Sequence, residues 1–176
     1  YSEKMQKIFS RVLNVNKNSI FINGFMFRMD APNDKRNSLD WHQDSRYYQM
    51  TFPNYNSGVC WIALTSNTKK NGTLAFIPKS HKEGLADIKY KKVSKLKSEQ
   101  YKLSVSISDQ KKQKVLNSKK GDLSVFHINL KHKSGKNTSN KIRMVIGCRF
   151  HDISKNFNLG KEVYIFNKNG KRRLFD

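Results

Sequence analysis

Two stretches near the end of the chain, DLSVFHINL at residues 122–130 and KIRMVIGCRF at residues 141–150, decide the fold. Both are short and rich in β-branched and aromatic residues, and a polar, turn-forming segment separates them. Further runs of this kind occur at residues 20–29, 41–51, 59–66, 73–78 and 162–166. Many short strands separated by turn residues are typical of antiparallel sandwiches and barrels. The sequence therefore predicts a mainly β protein.

The stretch at residues 141–150 alternates between apolar and other residues. Because successive side chains in a strand point to opposite faces, one face carries Ile142, Met144, Ile146, Cys148 and Phe150, and the other carries Arg143, Val145, Gly147 and Arg149. A guanidinium directed into a half-buried cavity needs a partner, and a carboxylate matches its geometry best. Arg143 is therefore predicted to bind a carboxylate, which a dicarboxylate cosubstrate would supply.

The rest of the chain completes a single domain over residues 1–176. Residues 2–13 repeat apolar positions at helical spacing after Ser2, a typical N-cap residue, and predict an amphipathic helix. The lysine-rich segment at residues 83–120 interrupts the strands and is interpreted as an insertion. The length of 176 residues fits one domain.

The composition is strongly basic, with 35 Lys and Arg against 13 Asp and Glu and a net charge of +22. Such a surface can attract nucleic acid or another polyanion. However, 27 of the basic residues are lysines, and they are densest in a segment that is poor in aromatics, whereas a nucleic-acid surface interleaves Arg with aromatic residues. A solvated lysine-rich surface is therefore favoured over a nucleic-acid partner, with a mild preference for an anionic substrate.

Two features bear on the compartment. No stretch approaches the roughly 18 to 20 apolar residues of a membrane helix, which excludes a membrane-spanning role. The two cysteines, Cys60 and Cys148, each lie inside an apolar run and are too few for a disulfide scaffold. A reducing, cytoplasmic location is predicted.

The tetrapeptide WHQD at residues 41–44 carries the most informative polar residues. In a strand, His42 and Asp44 would project to the same side, so that an imidazole and a carboxylate share a site. His132, at the end of a later strand, offers a third ligand. Two His and one carboxylate on a rigid β framework form the facial triad of non-haem Fe(II) oxygenases, which leaves metal positions open for a cosubstrate and O₂.

Three blocks in this order resemble a known family. They are WHQD (41–44), VCWIALTSNTKKNGTLAFIPKSHKEG (59–84), and GDLSVFHINLKHKSGKNTS (121–139) with IRMVIGCRFHD (142–152). The sequence is similar over residues 25–152 to the phytanoyl-CoA dioxygenase family of Fe(II)- and 2-oxoglutarate-dependent oxygenases. The resemblance implies a double-stranded β-helix, or jelly roll, of the cupin type. It also implies oxidation of an unactivated C–H bond, such as a hydroxylation, with release of succinate and CO₂.

The resemblance also implies roles for particular residues. His42, Asp44 and His132 would bind iron, Arg143 would bind the distal carboxylate of 2-oxoglutarate, and Ser134 would help to hold that carboxylate. Arg28, at a position where relatives often have a basic residue, would contact the cosubstrate or the substrate. Its alternative is an ordinary surface charge.

Some properties depart from the family pattern or stay open. Only 41 residues precede His42, so we expect that an N-terminal part of the family domain is missing. The predicted substrate is a small molecule, with a mild preference for an anionic one. Desaturation and epimerisation stay open as outcomes. The alternative function is a catalytically inactive jelly roll that binds nucleic acid or another polyanion. His127, five residues before His132, is predicted to be a packed or hydrogen-bonded strand residue.

Overall fold

A computed structural model describes residues 2–34, 38–91, 100–155, 164–167 and 170–173. Its strands are β1 (Ile20–Asp30), β2 (Ser57–Ala63), β3 (Leu74–Phe76), β4 (Ile88–Lys91), β5 (Gln100–Leu103), β6 (Lys114–Val115), β7 (Leu123–His127), β8 (His132–Ser134), β9 (Arg143–Asp152), β10 (Tyr164–Asn167) and β11 (Gly170–Arg173). The helices are α1 (Glu3–Leu13) and α2 (Ile107–Lys111), and short 3₁₀ turns lie at Lys17–Ser19, Asp44–Arg46 and Ser80–Glu83. In this part of the chain, no helix combines the length and the apolar composition needed to cross a bilayer.

Two antiparallel sheets form the body of the fold. The larger has the strand order β1-β9-β2-β7, and the smaller has the order β6-β3-β8. Apolar residues of both sheets and of the loops between them form one buried cluster, which consists of Tyr55, Val59, Trp61, Leu74, Ile128 and Val145. The sheets thus enclose a common core, and the predicted mainly β sandwich is confirmed. Strands β4 with β5 and β10 with β11 form separate two-stranded ribbons.

The opposite face of the larger sheet is partly covered by α1. Ser2 caps this helix by accepting a hydrogen bond from the backbone N–H of Met5, and Phe9 stacks on Phe150 with 4.0 Å between ring centroids. A further apolar cluster under α1 contains Phe9, Phe150, Cys60 and Cys148. The two cysteines lie opposite each other in the register of β2 and β9, and both are buried free thiols. The predicted N-terminal helix is confirmed.

Gly58 makes room for the Phe150 ring under α1. A Cβ atom at Gly58 would lie 2.2 Å from Cζ of Phe150, whose ring is already stacked on Phe9. We expect Gly58→Ala to lower the free energy of unfolding by about 2 to 3 kcal/mol, because overpacking displaces buried rings. Gly147→Ala is the comparison, since the nearest atoms there are 3.3 Å away and need to shift by only a few tenths of an ångström. Urea unfolding measures both, and equal stabilities for the two variants would contradict this account.

The structure differs from the predicted strand at residues 41–51 and places part of the lysine-rich segment within the fold. The strand predicted at residues 41–51 is wrong, because the chain turns into a 3₁₀ turn at Asp44. The lysine-rich segment is partly built into the fold, because β6 pairs with β3 and Leu103 is buried beside Trp41. Residues 92–99 of that segment lie outside the described residues. The last strand prediction corresponds to β10, and its first residues, 162 and 163, also lie outside them.

Candidate functional site

Three buried side chains, those of His42, Asp44 and His132, converge on one point inside the sandwich. Oδ1 of Asp44 lies 3.5 Å from Nε2 of His42 and 3.5 Å from Nε2 of His132. Two donor atoms that each lie about 2.1 Å from one octahedral ion, at a right angle, are about 3 Å apart. The spacing therefore suits a single divalent metal ion.

The backbone brings the two histidines together, although about 90 residues separate them in sequence. The N–H of His42 donates to the carbonyl of His132 over 2.9 Å, and the N–H of His132 donates to the carbonyl of His42 over 3.0 Å. This reciprocal pair is an isolated antiparallel bridge at the start of β8. Because the bridge fixes both backbones, the imidazole rings lie side by side, with 4.1 Å between their centroids.

Asp44 reaches the same point from a turn rather than from a strand. The backbone N–H groups of Tyr47 and Tyr48 donate to the carbonyl of Asp44 over 2.9 and 3.0 Å, which closes the turn. Gln43 is fully buried on the other side, where its amide donates to the carbonyls of Gly84 and Asn129. The anchored Gln43 side chain holds the turn in place, so His42 and Asp44 lie on the same side. The sequence predicted this shared side, but from a strand rather than from a turn.

The hydrogen bonds of the imidazole rings define which nitrogens are available. Nδ1 of His42 lies 2.7 Å from the carbonyl oxygen of Asp40, and Nδ1 of His132 lies 2.8 Å from the carbonyl oxygen of Leu130. A carbonyl only accepts, so each Nδ1 carries the proton. In the neutral rings both Nε2 atoms then keep a free lone pair, directed toward Asp44, which is the arrangement of metal-binding histidines.

The protonation states also suit a cation. Burial, together with the nearby His42, lowers the pKa of His132 to about 3, so its ring is neutral at neutral pH. Burial alone would raise the pKa of Asp44, but the neighbouring imidazoles of His42 and His132 and the Arg149 guanidinium together hold it well below its usual range. The neutral imidazole of His132, the imidazole of His42 and one ionised carboxylate make up the donor set of a two-histidine, one-carboxylate metal site.

A second cluster of buried charges surrounds Arg143, the first residue of β9. Arg143 is 1% exposed, and its Nη2 donates to Oδ2 of Asp30, which is opposite it in the register of β1 and β9. Nε of Arg28 donates to both oxygens of the same carboxylate, over 3.0 and 2.9 Å. Two guanidinium groups and one carboxylate leave this cluster with one positive charge.

The Arg143 cluster has unused hydrogen-bond donors. Within the described part of the chain, Nε and Nη1 of Arg143 are buried without a partner. The same holds for Nε1 of Trp61, whose ring centroid lies 5.8 Å from the Arg143 guanidinium carbon. Burial lowers the pKa of Arg143 to about 10, so the guanidinium is still charged at neutral pH. Unpaired buried donors on a charged group are costly unless a ligand satisfies them. The donor set matches an anionic, planar group such as a carboxylate.

Ser134 and Arg28 belong to this cluster. The hydroxyl oxygen of Ser134 accepts from Nη2 of Arg28 over 3.0 Å and from the backbone N–H of Leu39 over 3.2 Å, so its own proton can be donated to an anion. Arg28 is 7% exposed, which rules out its interpretation as a surface charge. Strand β8 links the two clusters, because it carries His132 of the first and Ser134 of the second.

Two charged residues of the site were not predicted from the sequence. Asp30 follows Arg28 by two positions and so lies on the same face of β1; this spacing was the available signal. Arg149 shares a face of β9 with Arg143, and its guanidinium binds Asp44. Strand alternation predicted the face on which Arg149 lies, but not its partner Asp44.

The remaining histidines near this region lie outside the donor set. His127, at the end of β7, accepts a hydrogen bond at Nδ1 from the backbone N–H of Asn129 over 3.0 Å. Its ring centroid lies 5.2 Å from that of His81. His127 is therefore a packed, hydrogen-bonded strand residue, as predicted.

Comparison with known proteins places this architecture in a family. The family model described as phytanoyl-CoA dioxygenase matches residues 2–145, and the chain belongs to this family. The peroxisomal phytanoyl-CoA dioxygenase of Bos taurus is 34% identical, over 64% of this chain and 33% of that protein. The resemblance inferred from the three sequence blocks is confirmed.

Solved structures share the fold at lower identity. EvdO2 from Micromonospora carbonacea var. aurantiaca, complexed with 2-oxoglutarate, superposes with a TM-score of 0.64 at 17% identity, over 84% of this chain and 58% of that one. EctD from S. alaskensis with bound Fe has a TM-score of 0.66 at 17% identity, over 88% and 52% of the two chains. The predicted jelly-roll fold is confirmed. The chain spans about a third of the bovine protein and between half and three fifths of these two structures.

Proposed function

We propose that this chain carries the active site of an Fe(II)- and 2-oxoglutarate-dependent dioxygenase that oxidises an unactivated C–H bond and releases succinate and CO₂. The observation that supports it most is the pairing of two buried clusters on adjoining strands, one fitted to a divalent cation and the other to a carboxylate. Membership in the phytanoyl-CoA dioxygenase family supports the same reaction. A binding protein without catalysis would not need both clusters.

In this proposal, His42, Asp44 and His132 hold the iron through Nε2, Oδ1 and Nε2. Bound Fe(II) supplies the activation of O₂ that the amino-acid side chains cannot provide. The protein keeps both imidazoles in the metal-binding tautomer through the carbonyls of Asp40 and Leu130. Because the three side chains are buried, the reaction proceeds away from bulk water.

Arg143 is proposed to bind the distal carboxylate of 2-oxoglutarate through its unpaired Nε and Nη1. Ser134 would donate its hydroxyl proton to that carboxylate, and the orphaned Trp61 Nε1 provides a further donor. Arg28 acts indirectly, because its guanidinium is bound to Asp30 and Ser134. The incoming carboxylate would neutralise the single excess positive charge of the cluster.

The substrate is proposed to be a small, anionic molecule. A groove of about 1220 Å³ reaches Ser134 and is lined by six lysines, namely Lys69, Lys70, Lys102, Lys111, Lys133 and Lys136. Positive potential along a groove raises the local concentration of anions. Hydroxylation is the proposed outcome, and product analysis distinguishes it from desaturation or epimerisation.

The single-domain boundaries at 1–176 and the cytoplasmic location stay predictions.

Anaerobic titration of the whole chain with Fe(II) and 2-oxoglutarate tests the proposed function. We expect a charge-transfer absorption band only when both are present, because chelation of the metal by the 2-oxo acid is its source. Glutarate is the control: it keeps both carboxylates but lacks the 2-oxo group, so it should compete without producing the band. A protein that binds neither Fe(II) nor 2-oxoglutarate would refute the proposed function.

A further inference from the structure

We propose that Arg149 is a positioning residue that restricts Asp44 to binding the metal through a single oxygen. This inference rests on the proposed iron site and adds a residue to it. Nε and Nη2 of Arg149 both approach the same atom, Oδ2 of Asp44, at 2.9 and 2.8 Å. The other oxygen, Oδ1, is the one that lies 3.5 Å from Nε2 of His42 and of His132.

The two carboxylate oxygens of Asp44 therefore have different roles. Charge-assisted bonds from a guanidinium are strong and directional, so two of them on Oδ2 oppose rotation of the carboxylate. A carboxylate that is free to rotate can bind a metal through both oxygens, as Asp and Glu do at other metal sites. Bidentate binding would occupy a coordination position that the cosubstrate or O₂ requires.

Arg149 is itself held rigidly, which a positioning role requires. Its Nη1 donates to the carbonyl of Gly24 over 3.1 Å and lies 3.2 Å from the sulfur of Met26. Its guanidinium carbon lies 4.6 Å above the centre of the Tyr48 ring. The side chain is 12% exposed. Contacts with Gly24, Met26 and Tyr48 thus restrict the Arg149 side chain independently of Asp44.

The β1 strand is distorted at the place where Arg149 passes. The register of β1 with β9 shifts between Asn23 and Met26, and Gly24 has a positive φ of 58°. A Cβ atom at Gly24 would lie 2.9 Å from Cε1 of Tyr48 and 3.1 Å from Cδ of Arg149. The bulge therefore gives both side chains the space in which they stack, and a glycine is needed for it.

The two arginines of this face of β9 have distinct tasks. Among the residues that the structure describes, two donors of Arg143 have no partner, whereas Nε, Nη1 and Nη2 of Arg149 all have partners. Arg143 can accordingly bind an incoming anion, and Arg149 is already committed to Asp44. Loss of Arg143 should consequently weaken the binding of the anion, whereas loss of Arg149 should affect the binding of the metal ion.

The test compares Arg149→Gln with Arg143→Gln and uses Co(II), whose absorption spectrum reports its coordination number. Mutation of a group that orients a metal ligand through a hydrogen bond typically changes metal affinity by about 10- to 100-fold. We expect Arg149→Gln to change Co(II) affinity within this range and to shift the spectrum of the bound ion toward a higher coordination number, because Asp44 can then bind through both oxygens. Arg143→Gln should leave the affinity and the spectrum of Co(II) without cosubstrate close to those of the wild type.

Arg149→Lys is the second variant, in case Arg149→Gln does not fold. It keeps the charge but cannot place two donors on one oxygen. We expect its Co(II) affinity to lie between those of the wild type and Arg149→Gln, with an altered spectrum. Unchanged Co(II) affinity and spectrum in either folded Arg149 variant would overturn the inference, even if turnover fell. Failure of the wild type to bind Co(II) or Fe(II) would instead overturn the proposed function on which the inference rests.

Discussion

Replacement of Asp44 with alanine is expected to abolish succinate formation coupled to substrate oxidation. It should weaken Fe(II) binding by more than the roughly 10- to 100-fold that loss of a ligand-orienting group causes, because a ligand itself is removed. Asp44 supplies the only carboxylate among the three converging donors, and its Oδ1 lies between the two imidazole Nε2 atoms. Two imidazoles alone would hold a divalent ion weakly. Metal titration and the rate of succinate release measure the two effects.

Two further variants separate this effect from a loss of folding. Asp44→Asn keeps the side-chain shape and an oxygen that can accept from Arg149, and it should lose activity while unfolding near the wild-type temperature. Asp109→Asn is the matched control, because the Asp109 carboxylate on α2 pairs with Lys112, outside both clusters and the lysine-lined groove. Asp109→Asn should keep wild-type turnover. Unchanged turnover in folded Asp44→Ala would eliminate the three-residue metal site.

Replacement of Arg143 with glutamine is expected to weaken 2-oxoglutarate binding by about 30- to 4000-fold. The fold-change follows from the loss of a buried, charged hydrogen-bonding partner, which typically costs about 2 to 5 kcal/mol. The protein should still fold, because Asp30 keeps Arg28 as an ion-pair partner. The concentration of 2-oxoglutarate needed to produce the charge-transfer band measures this effect.

Arg143→Lys provides the comparison for charge alone. A lysine keeps the positive charge but presents no planar pair of donors to a carboxylate. We expect an affinity between those of the wild type and Arg143→Gln, with Fe(II) binding retained in both variants. An affinity for 2-oxoglutarate that does not change in Arg143→Gln would mean that the carboxylate binds elsewhere.

Much of the site could be predicted because strand alternation and the family's sequence blocks each identify individual residues. Alternation placed Arg143 on the inner face of its strand, and the structure has it buried there. The order of WHQD and the later histidine supplied His42, Asp44 and His132 as candidates. These inferences needed only local periodicity and a comparison of motifs, both of which are properties of the sequence alone.

The partners of these residues could not be predicted in the same way. Asp30 lies opposite Arg143 because β1 and β9 pair in one particular register, and Arg149 reaches Asp44 across a bulge in β1. Register and bulges depend on packing between distant segments. The strand predicted at residues 41–51 failed for a related reason, since the buried Gln43 amide favours a turn that is anchored by the distant Asn129 and Gly84.

The reciprocal backbone bonds between His42 and His132 have a consequence for the thermodynamics of metal capture. They order both imidazoles before an ion arrives, so little conformational entropy remains to be lost when it binds. The same bonds also join β8 to the segment before Asp44, which makes them part of the chain's folded framework. In this protein, the attachment of β8 to the segment before Asp44 therefore also builds a preorganised cation receptor.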